Sequence, residues 1–326
     1  MTMRALVVEH LAPEYAGCVV KEVDTPKPGP GEVRVKVRAA SVNFPDLLMT
    51  RGEYQHKPPL PFIPGLEMAG VVAKLGEGVD RWKVGDAVAG GARIGGFSEM
   101  ALTQAAGLRA KPENFSFGQA AGFGAAYLTA YVSLVRRAQV EPGEWVLAHG
   151  AAGGVGLACV DLARVLGCRV IAASASDAKL KVIEDEYAPD ATVNVTRGFR
   201  ERVKELTGGR GADVIYDPVG GDLAQDCMSA INWNGRYLVI GFPAGIPEIA
   251  TNRLLIKGAA AVGVFWGAFV AREPKVNAQN IQQLYAWVAS GQLKPYVSKT
   301  YPLAQAAQAL RDMMERKVTG KVVLTT

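Results

Sequence analysis

The stretch WVLAHGAAGGVG, residues 145–156, decides the fold class of this chain. Its first residues form a short apolar run typical of a buried strand, and a glycine-rich turn follows at once. From Gly154 to Leu166 apolar residues then recur at helical spacing. A strand, a glycine turn and a helix in this order open a dinucleotide-binding unit, in which the helix N-terminus presents free N–H groups to phosphate.

The glycine turn matches the dinucleotide fingerprint in part. Ala151 occupies the place of the first glycine of G-x-G-x-x-G, which makes the motif less specific. Gly153 allows close approach of a pyrophosphate, and Gly156 allows the helix to pack tightly on the sheet. A tight strand-to-helix turn without a ligand is the alternative interpretation, and the complete βαβ pattern around the motif favours the cofactor.

The alternation of strands and helices continues beyond this motif. Strands are predicted at residues 169–173, 192–195, 213–217 and 236–241, and helices at 177–187, 199–206 and 222–231. Such alternation predicts an α/β domain with a doubly wound parallel sheet, which binds ligands outside the carboxyl ends of its strands.

The two ends of the chain read differently. Residues 1–122 are rich in short strand-like runs separated by Pro and Gly, and residues 264–326 carry two helical segments and two more strands. We therefore expect a β-rich domain formed by residues 1–122 and 264–326, interrupted by a nucleotide-binding domain at residues 123–263.

Composition excludes several other classes of protein. Apolar residues make up 49% and charged residues 21%, and the net charge of +5 is dispersed rather than gathered in a basic stripe. This argues against nucleic-acid and membrane-surface binding. No signal peptide and no run of the ~20 apolar residues that span a bilayer is visible, so a cytoplasmic protein is expected. The four cysteines and three histidines are isolated, and no metal site is predicted.

The end of the second strand of the nucleotide-binding domain indicates which cofactor binds. An acidic residue there would bind the ribose 2′-hydroxyl of NAD, whereas this strand ends in AASAS, residues 172–176. Ser174 and Ser176 can donate to a 2′-phosphate, and Lys179 can neutralise it. Asp177 lies close by and is interpreted as a helix N-cap or first-turn acid. NADPH is the predicted cofactor.

Several segments together carry a resemblance to the zinc-free quinone oxidoreductases, the zeta-crystallin-like branch of the medium-chain dehydrogenases. These segments, spread over essentially the whole chain, are Ala39–Asp46, Arg51–Tyr54, Pro61–Glu67, Gly85-Asp86, Tyr127–Tyr131, Ala151–Gly156, Asp217–Gly221 and Thr319–Leu324. The resemblance implies a Rossmann domain inserted in a β-rich, chaperonin-10-like catalytic domain.

The alcohol dehydrogenase branch of that family holds catalytic zinc with a cysteine near the position of Asn43, a His-Glu pair and a later cysteine. Here Leu66 stands where the histidine would be, and no cysteine lies near Asn43. Without such ligands a zinc site is not expected. The expected chemistry is hydride transfer from NADPH to a quinone or a conjugated carbonyl, which needs little acid–base help.

The resemblance also implies which residues form the site. Asn43 and Tyr54 are the expected catalytic residues, since an amide or phenol donor can stabilise negative charge on an acceptor oxygen. Thr129 is expected to touch the nicotinamide carboxamide or ribose. The full set of expected cofactor contacts is Tyr54, Thr129, Ala152, Gly153, Gly154, Val155, Gly156, Ser174, Ser176, Lys179, Gly241, Phe242, Val264, Phe265, Trp266 and Lys321.

Two other functions stay open at this point. The first is reduction of a conjugated double bond in an enoyl thioester or 2-alkenal, with a tyrosine at the position of Tyr54 as proton donor. The second is a non-enzymatic role, since relatives have been recruited as lens or RNA-binding proteins. For the assembly we expect a homodimer joined through the apolar strand at Ala259–Phe265, because pairing across a twofold axis would cover an exposed sheet edge.

Overall fold

The computed structural model describes residues 1–92 and 94–326. Its strands in chain order are β1 (Thr2–Val8), β2 (Cys18–Asp24), β3 (Glu32–Val42), β4 (Glu67–Leu75), β5 (Ala87–Gly91), β6 (Met100–Gln104), β7 (Leu108–Ala110), β8 (Trp145–Ala148), β9 (Arg169–Ser174), β10 (Ala191–Asn194), β11 (Ala212–Asp217), β12 (Ile231–Val239), β13 (Ala260–Gly263), β14 (Val297–Pro302) and β15 (Lys321–Thr325).

The α-helices are α1 (Phe44–Arg51), α2 (Phe117–Tyr131), α3 (Gly154–Val165), α4 (Asp177–Tyr187), α5 (Phe199–Leu206), α6 (Leu223–Ser229), α7 (Thr251–Lys257), α8 (Trp266–Arg272), α9 (Pro274–Ala289) and α10 (Ala306–Met314). Short 3₁₀ turns occur at Pro13–Tyr15, Ala105–Gly107 and Leu303–Gln305, and α2 runs into a π-helical segment at Val132–Ala138.

Residues 125–294 form one unit around a six-stranded sheet whose neighbouring strands are all parallel. The strand order is β10-β9-β8-β11-β12-β13, so the winding direction reverses between β8 and β11. Buried side chains of Leu147, Ile171, Ile215 and Tyr237 pack in the core of this unit. The predicted doubly wound parallel sheet is confirmed, and its switch point is the place where such folds bind ligands.

Residues 1–124 and 295–326 form the second compact unit. Its main sheet has the order β14-β15-β3-β4-β5-β7, with β6 paired to β3, and β1 and β2 form a separate antiparallel ribbon. The antiparallel pairs β15–β3 and β3–β4 bring together the start of β15, the end of β3 and the start of β4. The β-rich domain that the sequence predicts is therefore assembled from both ends of the chain.

The helices α8 and α9 belong to the unit of residues 125–294, which contains the parallel sheet and is called the nucleotide-binding unit below. The return segment that the sequence predicts begins earlier, at residue 264, because a helix cannot be assigned to one of two sheets from its own pattern. In the structure the buried Leu284 and Val288 of α9 lie in the same unit as the parallel sheet.

One predicted helix is shorter than expected. The pattern predicts a helix over residues 222–231, whereas α6 ends at Ser229 and β12 begins at Ile231. Ile231 is fully buried and pairs with Ala212 of β11, so strand pairing prevails over the helical pattern at this residue.

Among the described residues, none of the helices combines the length and apolar character needed to cross a membrane.

Candidate functional site

The turns of the nucleotide-binding unit share one edge of its sheet. Because β8, β9, β11, β12 and β13 are parallel, their carboxyl ends lie at the same edge. The residues that follow these strands are 149–153, 175–176, 218–221, 240–242 and 264–266. The structure therefore brings eight of the sixteen predicted cofactor contacts to one line of turns: Ala152, Gly153, Ser176, Gly241, Phe242, Val264, Phe265 and Trp266.

The glycine turn leads directly into α3. Gly153 is the exposed N-cap residue with a φ of −82°, and it provides no side-chain hydrogen bond to the helix. Ala152 is buried before it, and Gly154, Val155 and Gly156 form the first turn of the helix. An uncapped N-terminus leaves N–H groups for an anion, so this turn fits a cofactor pyrophosphate.

Asp217, the last residue of β11, organises the switch point. Its Oδ1 accepts hydrogen bonds from the N–H groups of Val219 and Gly220 at 2.8 and 3.0 Å, and lies 3.0 Å from Nδ1 of His149. Its Oδ2 accepts from the hydroxyl of Tyr237. Burial opposes ionisation, but these hydrogen bonds hold the pKa of Asp217 below its usual range. The carboxylate thus ties the turn after β11 to the turn after β8.

At the end of β9 the structure places Ser174 in a buried position opposite Asn194 of β10. Ser176 is the N-cap residue of α4, and its hydroxyl accepts a hydrogen bond from the N–H of Lys179 at 3.4 Å. Both serines and the half-buried Lys179 therefore lie on the strand end and first helical turn that the sequence selects for a 2′-phosphate.

Asp177 is a first-turn acid rather than the N-cap residue of α4. Its carboxylate accepts hydrogen bonds from Asn194 at 2.6 Å and from the guanidinium of Arg197 at 2.8 Å. These partners hold the pKa of Asp177 below its usual range. Protein groups already donate hydrogen bonds to this carboxylate and partly neutralise its charge. It is therefore less available to accept a hydrogen bond from a ribose hydroxyl.

The remaining predicted contacts in this unit vary in exposure. Gly241 and Trp266 are half-buried, Phe242 and Phe265 are exposed, and Val264 is buried. The indole N–H of Trp266 donates to Asn277 at 3.2 Å, which directs the ring toward α9. Thr129 is half-buried on α2, and its carbonyl accepts a hydrogen bond from Ser133.

In the β-rich unit, Asn43 lies in a buried cluster with Glu67 and Lys321. The ammonium of Lys321 donates to Oδ1 of Asn43 at 2.6 Å and lies 3.8 Å from the carboxylate of Glu67. The amide of Asn43 donates to Glu67 at 2.9 Å and to the carbonyl of Ser41 at 3.4 Å. The structure thus confines both amide hydrogens of Asn43 to protein partners.

Asp46 fixes the backbone beneath this cluster. Its carboxylate accepts hydrogen bonds from the N–H of Asn43 at 2.8 Å and from the N–H of Gly65 at 3.1 Å. Complete burial raises the pKa of Asp46 to about 7, although these hydrogen bonds oppose the shift. The group therefore changes its charge near neutral pH.

This raised pKa predicts a pH dependence of stability. The folded protein binds the Asp46 proton more tightly than the unfolded chain, so the contribution of Asp46 is fully present below 3.8 and is lost as the pH rises through about 7. Wild type should therefore gain thermal stability relative to Asp46→Asn when the pH falls from 8 to 5. Thermal midpoints of both proteins over this range measure the effect, and a constant difference between them would contradict it.

Tyr54 follows α1 and packs beside Val8, Met49 and Phe62. The side chain is half-buried, and burial together with the charge of Asp46 raises the pKa of its phenol. Within residues 1–92 and 94–326 its hydroxyl has no hydrogen-bond partner. The hydroxyl of Tyr54 is therefore protonated at neutral pH and makes no hydrogen bond within the described residues. The amide hydrogens of Asn43, in contrast, are both used by protein partners.

Across the described part of the chain, no group of three or more His, Cys, Asp or Glu side chains is arranged to hold a metal ion. At the position of the family's histidine, Leu66 packs against the apolar cluster of Val8, Met49 and Phe62.

Sequence reasoning missed the roles of His149, Asp217, Asp46, Glu67 and Arg197. The sequence could have indicated Asp217 and His149, since each is a polar residue directly after an apolar strand run. Asp46 and Glu67 lie inside the segments that carry the family resemblance, but nothing local indicates that they meet Asn43. Arg197 lies in a polar loop without a motif, and only the fold brings it to Asp177.

Two family models match the chain. Residues 29–139 match the alcohol dehydrogenase GroES-like domain, and residues 181–324 match the model described as zinc-binding dehydrogenase. A curated relative from Nematostella vectensis, quinone oxidoreductase-like protein 2 homolog, is 41% identical over 91% of this chain and 82% of its own length.

Solved structures of similar proteins extend over the whole chain. A probable oxidoreductase from Mycobacterium abscessus is 36% identical with a TM-score of 0.91, covering 100% of this chain and 99% of that one. A mycobacterial protein solved in complex with NADPH is 30% identical with a TM-score of 0.90 and covers 99% and 100% of the two chains. The CurK enoyl reductase is 27% identical with a TM-score of 0.88, covering 99% of each chain.

Proposed function

The chain belongs to the medium-chain dehydrogenase/reductase family, among its quinone oxidoreductase-like members, and we propose that it is a zinc-independent NADPH:quinone oxidoreductase. The observation that carries the proposal is the full-length likeness to proteins named quinone oxidoreductase, including the human one, which is 32% identical over 99% of this chain. The uncapped, glycine-lined N-terminus of α3 supports the cofactor half of the proposal.

We propose that the turns of the nucleotide-binding unit hold NADPH. The pyrophosphate would be held by residues 152–156 and the 2′-phosphate by Ser174, Ser176 and Lys179. The further proposed contacts are Tyr54, Thr129, Gly241, Phe242, Val264, Phe265, Trp266 and Lys321. When bound, NADPH supplies a hydride, and the protein supplies position and polarity.

Residues of the β-rich unit would stabilise the quinone as it accepts the hydride. Reduction of a quinone places negative charge on an oxygen, which a preorganised donor stabilises. Tyr54 suits this role because its phenol is protonated at neutral pH and its hydroxyl is unused by the described residues. Asn43 would contribute as an oriented carboxamide dipole, held by Lys321 and Glu67, rather than by donating a hydrogen bond to the acceptor.

Steady-state assays with the absorbance of NADPH as readout test this proposal. A panel of quinones should be turned over with kcat/KM at least tenfold above crotonyl thioesters and 2-alkenals. The reverse order would favour double-bond reduction, which the likeness to the CurK enoyl reductase and the presence of Tyr54 support as the second candidate. Tight NADPH binding without turnover of either class would favour the non-enzymatic role.

The cofactor preference is a separate prediction. NADPH should bind at least tenfold more tightly than NADH, which corresponds to about 1.4 kcal/mol, because the strand end offers Ser174 and Ser176 and Asp177 is already occupied. Lys179→Ala should weaken NADPH and leave NADH unchanged in fluorescence titrations.

Lys181→Ala is the matched control for this prediction, because Lys181 lies on the same helix and pairs with Asp185 on the exposed face. Equal affinities for the two cofactors in wild type would overturn the preference. An unchanged NADPH affinity in Lys179→Ala alone would overturn only the assignment of that residue.

We further propose that the protein is a homodimer and is located in the cytoplasm. The strand β13 forms an edge of the parallel sheet, and most of its residues are exposed. Leu255 and Ile256 of the preceding α7 and Phe265 after β13 are also exposed, with fractions of 82%, 68% and 65%. Pairing of this edge with its copy would bury these side chains and satisfy the open backbone groups.

Light scattering at micromolar concentration should give about twice the chain mass of 34.6 kDa. Leu255→Lys should lower this mass, since a charge would be buried in the interface. Ile246→Lys changes an equally exposed apolar residue away from this strand and helix and should leave the mass unchanged. A monomeric wild type would contradict the dimer.

A further inference from the structure

The buried cluster around Lys321 is larger than the binding of a neutral amide requires. Lys321 and Glu67 are 7% exposed, and Asp46 is fully buried beside them. Removing charged groups from water is costly unless they are paired and hydrogen-bonded. A chain that only had to hold Asn43 in place could do so with backbone groups, so this arrangement calls for a functional explanation.

The fold builds the cluster from three neighbouring strands. Lys321 begins β15, Asn43 follows the end of β3, and Glu67 begins β4. The antiparallel register pairs Val322 with Val42 and Ser41 with Glu67. It therefore places Lys321, Asn43 and Glu67 side by side at the same end of these three neighbouring strands.

The helix α2 covers the cluster with glycine. A Cβ atom on Gly122 would approach the Lys321 side chain to 3.3 Å, and one on Gly124 would approach the Glu67 carboxylate to 2.7 Å. Larger residues at these two positions would displace the pair. The space above the ion pair is therefore matched to the side chains of Lys321 and Glu67.

The hydrogen bonds of the cluster fix the orientation of the Asn43 carboxamide. Lys321 is the donor to Oδ1 of Asn43, and Asn43 is in turn the donor to Glu67. A carboxamide held at both its oxygen and its nitrogen can adopt only one orientation, because exchanging the two atoms would set an amide N–H against the ammonium. Within residues 1–92 and 94–326, this ammonium is the positive group that contacts the amide.

We propose that Lys321 is a positioning residue of the acceptor site: its charged ammonium orients Asn43 and supplies positive charge beside the position where an acceptor gains negative charge. This inference rests on the proposed reductase function and deepens it. It also makes the contribution of Lys321 to cofactor and acceptor binding an indirect one, exerted through Asn43 and through its charge.

The charge of Lys321 gives the proposal a pH signature. Burial lowers the pKa of Lys321, and the carboxylates of Glu67 on β4 and Asp46 on α1 oppose that shift. The side chain is charged below its pKa, so turnover should be lost on the alkaline limb of the profile, as the pH rises through that lowered pKa. The helix α2 faces it with Gly122, which adds no titratable side chain.

The test compares Lys321→Met, Glu67→Gln and the double variant. Each single change leaves a buried partner uncompensated and should lower the thermal midpoint, whereas the double change removes both charges and should recover most of that loss. Turnover should behave differently. We expect kcat to fall at least tenfold in Lys321→Met, to stay low in the double variant, and to lose its alkaline limb, with the NADPH Kd changed less than threefold.

Lys299→Met is the matched control, because Lys299 lies on the neighbouring β14, is exposed and pairs with Asp312. It should keep both kcat and the alkaline limb. Recovery of kcat together with stability in the double variant would show that the pair is only structural and would overturn the proposal, as would an unchanged kcat in Lys321→Met.

Failure of the proposed reductase function can be told apart from failure of the Lys321 proposal. If wild type binds NADPH but reduces neither quinones nor enoyl compounds, the proposed function fails, and the pH dependence of quinone affinity, titrated on the NADPH complex, still tests Lys321. In that case an alkaline loss of quinone affinity in wild type that is absent from Lys321→Met supports the positioning role, and identical profiles overturn it.

Discussion

Replacing Gly156 by Ala should unfold the nucleotide-binding unit at a lower temperature, whereas replacing Gly153 by Ala should leave stability unchanged and weaken NADPH. A Cβ atom on Gly156 would lie 2.2 Å from the carbonyl oxygen of Gly150 and 2.8 Å from Cα of Ala151. Both contacts are with backbone, so the helix or the turn must shift. Such overpacking typically costs about 1–3 kcal/mol, which lowers the midpoint of a unit this size by several degrees.

Gly153 has a different reason to be glycine. A Cβ atom there would lie 3.5 Å from its nearest neighbour, and the φ of −82° suits any residue. Gly153→Ala should therefore change stability by less than about 0.5 kcal/mol. The new methyl group would occupy the exposed surface that a pyrophosphate must approach, and the NADPH Kd should rise about 10- to 100-fold, or about 1.4–2.8 kcal/mol.

Differential scanning fluorimetry and fluorescence titration of the two variants separate these roles. Gly263→Ala serves as a control in the same unit, since a Cβ atom there meets nothing within 4 Å. Unchanged NADPH affinity in Gly153→Ala would mean that the cofactor does not approach this turn. An unchanged midpoint in Gly156→Ala would mean that the contact with Gly150 does not limit the packing of α3.

Tyr54→Phe should affect the two substrate classes unequally. The substitution removes only the hydroxyl and keeps the ring packed beside Val8, Met49 and Phe62. Loss of one donor in a preorganised site costs about 10²–10³ in rate, and this is the loss expected for an enoyl thioester, whose carbon must receive a proton in the site. A quinone accepts hydride readily and its oxygens can be protonated by water, so the loss there should stay below about tenfold.

The measurement is kcat/KM of Tyr54→Phe against both classes, with NADPH affinity determined separately. Abolished quinone turnover with intact NADPH binding would require an obligatory acid at Tyr54 and would contradict the proposed mechanism. If neither reaction changes, Tyr54 is a structural residue of the turn, and the donor must be sought among the charged groups near Asn43.

The sequence was sufficient for the features that rest on local pattern. The strand at residues 145–148, the glycine turn and α3 follow from an apolar run, the absence of side chains and helical spacing, all of which are encoded within about twenty residues. The parallel sheet follows because helices alternate with strands, and its carboxyl edge then collects Gly153, Ser174 and Gly241 without further information.

Local pattern failed where two neighbouring structures compete for the same residues. The helices α8 and α9 carry the apolar periodicity of any surface helix, and only packing assigns them to the nucleotide-binding unit. Ile231 fits the end of a helix by spacing, but its pairing with Ala212 makes it the first residue of β12.

What the tertiary structure alone decided is the chemistry around Asn43. Lys321 is 278 residues away in sequence and Glu67 is 24 away, and only the antiparallel order β15-β3-β4 brings their charges together. The sequence named Asn43 as a donor from family likeness, whereas the structure uses its amide hydrogens within the protein. The reason is physical: a hydrogen bond depends on the positions of both partners, and strand register sets those positions over distances that no local pattern spans.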